Sequence, residues 1–140
     1  MLKEKLEKLF SLYLAGFKKY DIEAVSECYH LPCTLHTHDR VVLLSEPAEF
    51  NREFDNIFAQ LKLANTQNIV ATRASYVNLT ESLVLVCVDW DFINNQQEIF
   101  ADFSAFYHVV VENDQASIVN VVSQDLSSSK TLAYPLTIKD

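Results

Sequence analysis

Leu83-Val84-Leu85-Val86-Cys87-Val88-Asp89-Trp90-Asp91-Phe92-Ile93, the turn residues Asn94-Asn95, and Ile99-Phe100-Ala101-Asp102-Phe103-Ser104-Ala105-Phe106-Tyr107-His108 form the stretch that decides the architecture. Every second residue belongs to one set: Val84, Val86, Val88, Trp90 and Phe92, then Ile99, Ala101, Phe103, Ala105 and Tyr107. A period of two places each set on one face of a sheet, and asparagine tolerates the positive φ of a tight turn. The run therefore predicts two antiparallel strands, 82–93 and 98–112. Asn113-Asp114 leads into a third at 116–125, and Asn78-Leu79-Thr80 leads back to one at 69–78. Ile118, Asn120, Val122 and Gln124 continue the apolar face by the same count. Cys87, Asp89, Asp91, Asp102, Ser104, Phe106, His108, Val119 and Val121 fall on the other, mixed face. A single bulge would exchange the two.

Upstream the period lengthens. Leu2, Leu6, Leu9, Tyr13 and Phe17 recur at helical spacing, which predicts a first helix over 2–19. Asp21 is placed to cap a second, short helix carrying Val25, Cys28 and Tyr29, with Pro32 as its stop. Cys33–Thr37 and Val41–Leu44 read as short strands. Ser45 is placed to cap a third helix with Pro47 in its first turn and Phe50, Phe54, Ile57, Phe58 and Leu61 on its buried face. Helices first and a meander after them is an α+β order. The expected domain covers 1–126. Residues 127–140 form an extension in which Leu132, Tyr134, Leu136 and Ile138 alternate, and Pro135 fits only an edge strand. This extension is expected to be ordered, as an edge strand or as an arm over a partner subunit.

Composition removes several function classes. The 140 residues carry 19 acids against 11 bases, a net charge of −8 that repels nucleic-acid phosphates and anionic membranes. Met1-Leu2-Lys3-Glu4-Lys5-Leu6 alternates charge with leucine rather than forming an apolar leader, so a cytoplasmic location is expected. The three cysteines, Cys28, Cys33 and Cys87, have no Cys-x-x-Cys spacing and are expected to be free thiols. Gly16 is the single glycine, where average usage gives about ten. Glycine-rich phosphate-binding loops are thereby excluded, and no cofactor is implied.

Tyr13-Leu14-Ala15-Gly16-Phe17-Lys18-Lys19-Tyr20-Asp21-Ile22-Glu23-Ala24-Val25 and Tyr29-His30-Leu31-Pro32-Cys33-Thr34-Leu35 resemble the opening of ketosteroid isomerase and SnoaL-like proteins. Phe106-Tyr107-His108-Val109-Val110 through Ile118-Val119-Asn120-Val121-Val122 resembles their last two strands. The resemblance spans about residues 5–126 and implies the nuclear-transport-factor-two-like fold. That fold is a cystatin-like cone: three helices packed on a curved, mixed but mainly antiparallel sheet, around an apolar pocket. Tyr13 matches the tyrosine that stabilises the isomerase's enolate. The isomerase's general-base aspartate falls at Thr37, which cannot take a proton, and this departure argues against steroid isomerisation. His108 roughly matches the second oxyanion donor, an aspartate there.

The expected function is binding of a small apolar or aromatic molecule in the cone, extending to acid/base isomerase, dehydratase or hydrolase chemistry. Tyr13 is the candidate donor and His36 the candidate base, since imidazole titrates near neutrality. Phe17, Phe54, Trp90, Tyr107 and Asn120 are the candidate walls. His36 and His38 would share one side of a strand but lack an evident third ligand, so no metal site is expected. The competing reading is a non-catalytic interaction domain with a vestigial pocket. A homodimer is expected through the mixed face, on the apolar area of Phe106, Val119 and Val121.

Overall fold

The structure is a computed structural model that describes residues 1–139. Helices α1 (Leu2–Lys18), α2 (Ile22–Ser26) and α3 (Pro47–Leu63) accompany strands β1 (Tyr29–His36), β2 (Val41–Leu44), β3 (Thr66–Asn78), β4 (Leu83–Asn94), β5 (Ile99–Glu112), β6 (Gln115–Gln124) and β7 (Tyr134–Leu136). The strands form one sheet in the order β2-β1-β6-β5-β4-β3-β7. Only β1 and β6 run parallel, so the sheet is mixed. This is the α+β class that the helix-then-meander order predicts and the cone that the family resemblance implies.

The turns show why one glycine suffices. Asn113 and Asp114 both take positive φ (50° and 68°) between Glu112 and Gln115, the geometry that matches a hairpin's twist. The turn after β4 is longer than the two residues expected. Asn94 Oδ1 accepts from the N–H groups of Gln96 and Glu98, and Gln97 supplies the positive φ. Gly16 instead serves packing: a Cβ there would lie 2.8 Å from Val25 Cγ2, so its absence lets α2 close onto α1.

Three local expectations are corrected. Asp21 does cap α2, accepting from Ala24 N–H at 3.1 Å. The helix nevertheless ends at Ser26, and Tyr29 to Pro32 belong to β1 rather than to a helix stopped by proline. The N-cap of α3 is Glu46, not Ser45, because the Glu49 carboxylate reaches back to the N–H groups of both residues. His38 lies beyond β1 in a turn, so the two histidines do not share a strand.

The apolar face lies under the helices. Val84, Val86, Val88, Trp90, Ala105, Tyr107 and Val109 are buried against Leu6, Phe10, Tyr13, Phe50 and Phe54. On β6 the alternation breaks. Ile118 pairs with Val109 and Asn120 with His108, leaving Val119 as the extra residue of a bulge. Beyond it Val121 and Ser123 turn inward, opposite Tyr107 and Ala105, while Asn120 and Val122 turn outward. The expected placements of Asn120, Val121 and Val122 are thus reversed, because one added residue exchanges the faces of a strand.

The C-terminal segment adds the edge strand β7 to β3, with Pro135 opposite Ser75. It also crosses the outer face. Ser129 Oγ donates to Asp89 Oδ1 at 2.6 Å, Arg73 donates to both Ser129 and Asp89, and Leu132 N–H donates to Ser75 Oγ. Ser75, Asp89 and Ser104 are the buried polar residues among those described, and all three lie on this outer face. No helix among the described residues is long and apolar enough to cross a membrane.

Candidate functional site

The cone encloses a cavity of about 340 Å³. Leu14 and Phe17 of α1, Phe54 and Ile57 of α3, and Ile69, Trp90, Phe92, Phe103, Tyr107 and Val121 of the sheet form its apolar wall. Each has a structural reason to be there. Phe17 and Phe54 sit on the inward stripes of their helices, with ring centroids 6.0 Å apart and edge-on. Trp90, Phe103 and Tyr107 come from the inward set of adjacent strands.

The buried end holds a directed chain of hydrogen bonds. Trp90 Nε1 donates to Tyr107 Oη at 2.9 Å, and Tyr107 donates to Tyr13 Oη at 3.5 Å. Tyr29 stands beside Tyr13, with ring centroids 6.2 Å apart, and both line the cavity. Indole can donate but not accept, so the chain begins at Trp90 and runs through Tyr107 to Tyr13. The phenols of Tyr13 and Tyr29 are the donors this end offers a ligand. Burial pushes the phenols of Tyr13, Tyr29 and Tyr107 well above their usual value, so they act as neutral donors rather than bases. The thiols beside this floor are also held protonated by burial, Cys28 at about 12 and Cys33 at about 11.

The exposed end is polar. His36, Thr37 and Arg40 line it from β1 and the following turn, and Glu53, Asn56 and Gln60 from α3. Arg40 and Glu53 form an ion pair across it at 3.5 Å. The Thr37 hydroxyl donates to Asp39 at 2.7 Å.

The structure therefore brings Tyr13, Phe17, Phe54, Trp90 and Tyr107 together at the cavity and sets His36 at its rim. Asn120 is elsewhere. On the outer face its carbonyl oxygen faces His108 Nδ1 at 2.8 Å, and its amide donates to Thr34 at 2.9 Å. His108 is turned away from the cone with it, because His108 lies on the opposite alternation from Tyr107. Among the cavity residues that sequence reasoning does not single out, Tyr29 carries a polar group at the buried end. The periodicity assigns it to a helix, although Tyr29, Cys33, Leu35 and Thr37 share one odd-numbered alternation. Among the described residues no group of three potential ligands could hold a metal ion.

The model of the family described as NTF2-like protein (DUF6841) matches residues 3–126. The chain belongs to that family. No curated protein matches it. Solved structures show the same fold at low identity. An NTF-2-like protein of unknown function from Shewanella oneidensis MR-1 is 12% identical, with a TM-score of 0.71 over 89% of this chain and 100% of that one. A protein of unknown function with a cystatin-like fold from Nostoc punctiforme is 11% identical, with a TM-score of 0.71 over 86% and 88%. A ketosteroid isomerase-like protein from Erwinia carotovora atroseptica is 14% identical, with a TM-score of 0.66 over 86% and 92%. At such identities these relatives establish the fold of this NTF2-like chain.

Proposed function

We propose that this NTF2-like domain binds a small, flat, uncharged molecule of about two rings, with a carbonyl-type acceptor directed to Tyr29. The observation that carries the reading is the contrast within one cavity: apolar walls around a floor where the phenols of Tyr13 and Tyr29 stand at the end of a hydrogen-bonded chain. Size supports it. A cavity of about 150 Å³ holds one benzene ring, so the 340 Å³ here corresponds to roughly two. Burial of apolar ligand area at roughly 25 cal/mol per Å² supplies the affinity, and the Tyr29 donor supplies orientation.

The reading is binding rather than proton transfer at one atom. The buried phenols are donors, and Thr37 stands where a catalytic carboxylate would be expected. Glu53, the carboxylate in the lining, is paired with Arg40. His36 stands at the polar rim, whereas Tyr13 accepts from Tyr107 at the buried end. Acid/base turnover would need His36 to reach the far end of a bound ligand.

Thermal-shift and calorimetric titration with two-ring ketones and quinones, such as 1-tetralone and 1,4-naphthoquinone, tests this. Tyr29→Phe should weaken the hits by about tenfold, the worth of one hydrogen bond, with the fold intact. If no such compound shifts the wild-type midpoint, or hits bind Tyr29→Phe equally well, the reading fails. Conversion of a bound ketone by wild type, lost in His36→Ala, would move the conclusion to catalysis.

A further inference from the structure

The two edges of the sheet are treated differently. At β7 the edge carries Pro135, which has no N–H to offer, and the strand belongs to the well-tied C-terminal segment. At β2 the edge is Val41-Val42-Leu43-Leu44, with no proline and no lysine. Val41 and Leu43 are 65% and 60% exposed.

Hydrogen-bond phase identifies which backbone groups are open. Thr37 N–H donates to Arg40 C=O at 2.9 Å, and β1 pairs with β2 as Leu35↔Val42 and Cys33↔Leu44. Antiparallel bonding alternates, so Arg40, Val42 and Leu44 turn their N–H and C=O groups toward β1. Val41 and Leu43 turn theirs to the free edge.

We infer that β2 is a homodimer seam, pairing antiparallel with β2 of a second copy about a two-fold axis through Val42. In that register Val41 faces Leu43 of the other copy and exchanges both backbone bonds with it, and the symmetry repeats the pair. All the open groups of the strand are satisfied by one register. The same register sets Arg40, which also pairs with Glu53 of its own chain, one diagonal step from the other copy's Glu46, on the same face, and symmetry repeats this opposite-charge approach. Glu46 remains extended (φ −130°, ψ 154°), so the chain stays in line that far. The apolar side chains of Val41 and Leu43 cover each other across the seam. A second copy is the occupant these features fit, because strand and charge pattern are self-complementary. The outer sheet face is a poorer seam than the sequence suggests: Val121 has turned into the cone, and the C-terminal segment lies over part of that face.

The axis makes a covalent test possible. Val42 faces its own symmetry mate as a non-hydrogen-bonded pair, with Cα atoms about 4.5 Å apart, inside the disulfide range. Val41 is about 8 Å from its mate along the diagonal, outside it. Under oxidised glutathione, Val42→Cys should give a disulfide-linked dimer and Val41→Cys should not. The native cysteines are buried and silent in the folded protein. In sedimentation over 1–100 micromolar, wild type should associate, Leu43→Lys should be a folded monomer, and Phe106→Lys on the outer face should still associate. The inference is overturned by a wild type that stays monomeric, by a dimer that Leu43→Lys leaves intact and Phe106→Lys abolishes, or by a Val42→Cys protein that does not cross-link. These readouts need no ligand, so they stand or fall apart from the proposed binding function.

Discussion

The indole of Trp90 can give a hydrogen bond and cannot take one, and this orders the polar floor of the cone. Tyr107 accepts from Trp90 and donates to Tyr13, and Tyr29 stands beside Tyr13 on the cavity floor. Tyr13→Phe should therefore cost about 1–3 kcal/mol in urea denaturation, because it leaves the buried Tyr107 hydroxyl without its acceptor. Tyr29→Phe should cost less than Tyr13→Phe in stability and more in ligand affinity; equal stability costs would count against Tyr13 as the acceptor that Tyr107 needs. The raised phenols also give a pH signature. Their folded values lie above the ordinary phenol value of 10.0, and Cys28 stands at about 12 against an ordinary thiol value of 9.0. A group whose value rises on folding stabilises fully below its unfolded value, and that contribution is lost as pH climbs toward the folded one. The melting midpoint should hold to about pH 9 and fall above it, and Tyr107→Phe should flatten the fall. A midpoint insensitive between pH 9 and 11 would count against buried, neutral phenols. Tyr13, Trp90 and Tyr107 are legible in the sequence because strict periods of 3.6 and 2 carry side-chain direction. Asn120 is not legible, since a bulge changes direction without changing composition, and the shift at Val119 is visible only in the pairing.

Element by element, the least forgiving contact is between α1 and α2. A methyl added at Gly16 would meet Val25 Cγ2 at 2.8 Å and the Val25 backbone N at 3.3 Å, both tighter than ordinary van der Waals contact. Gly16→Ala should then cost about 1–3 kcal/mol despite alanine's better helix propensity, as overpacking does. Val25→Ala should recover part of that cost in the double variant, and a double variant no more stable than additivity would place the strain elsewhere. The C-terminal segment makes the opposite kind of contribution, satisfying polar groups rather than filling volume. Without it Asp89 and Ser75 lose the partners supplied by Ser129 and Leu132 N–H, and β3 becomes an open edge. Deleting residues 127–140 should lower stability by more than about 2 kcal/mol, since each stranded buried group costs on the order of 1–3. Unchanged unfolding would show that water replaces the segment without loss. The alternation of Leu132, Tyr134, Leu136 and Ile138 makes β7 legible from the sequence. The clasp of Arg73, Asp89 and Ser129 is not, because residues 56 positions apart carry no local signal of meeting.

At the scale of the whole molecule, the cavity is set by what the helices cannot fill. The sheet's inward face is continuous from Ile69 on β3 through Trp90 and Tyr107 to Val121 on β6, and α1 and α3 lie across it with Phe17 and Phe54 edge to face. Large aromatic rings held at fixed angles leave a void of defined size, because protein interiors do not collapse freely around a gap. The volume then acts as a ruler. One-ring ketones should bind weakly, leaving much of the 340 Å³ unfilled, and two-ring ketones should bind best. Four-ring ketones should bind poorly, since their rings would have to displace the Arg40–Glu53 pair at the exposed end. The size optimum should move with the wall. Val121→Phe, which adds a ring to the cavity side of β6, should shift the preference toward one-ring ketones while Tyr29→Phe weakens every size alike. Titration of the ring series against wild type and both variants separates the two contributions. A size optimum that Val121→Phe fails to move would mean that the ligands bind outside the cone. A wild type with no optimum would mean that the walls yield to whatever enters, and the aromatic framework would then be a stable core with a void rather than a shaped site.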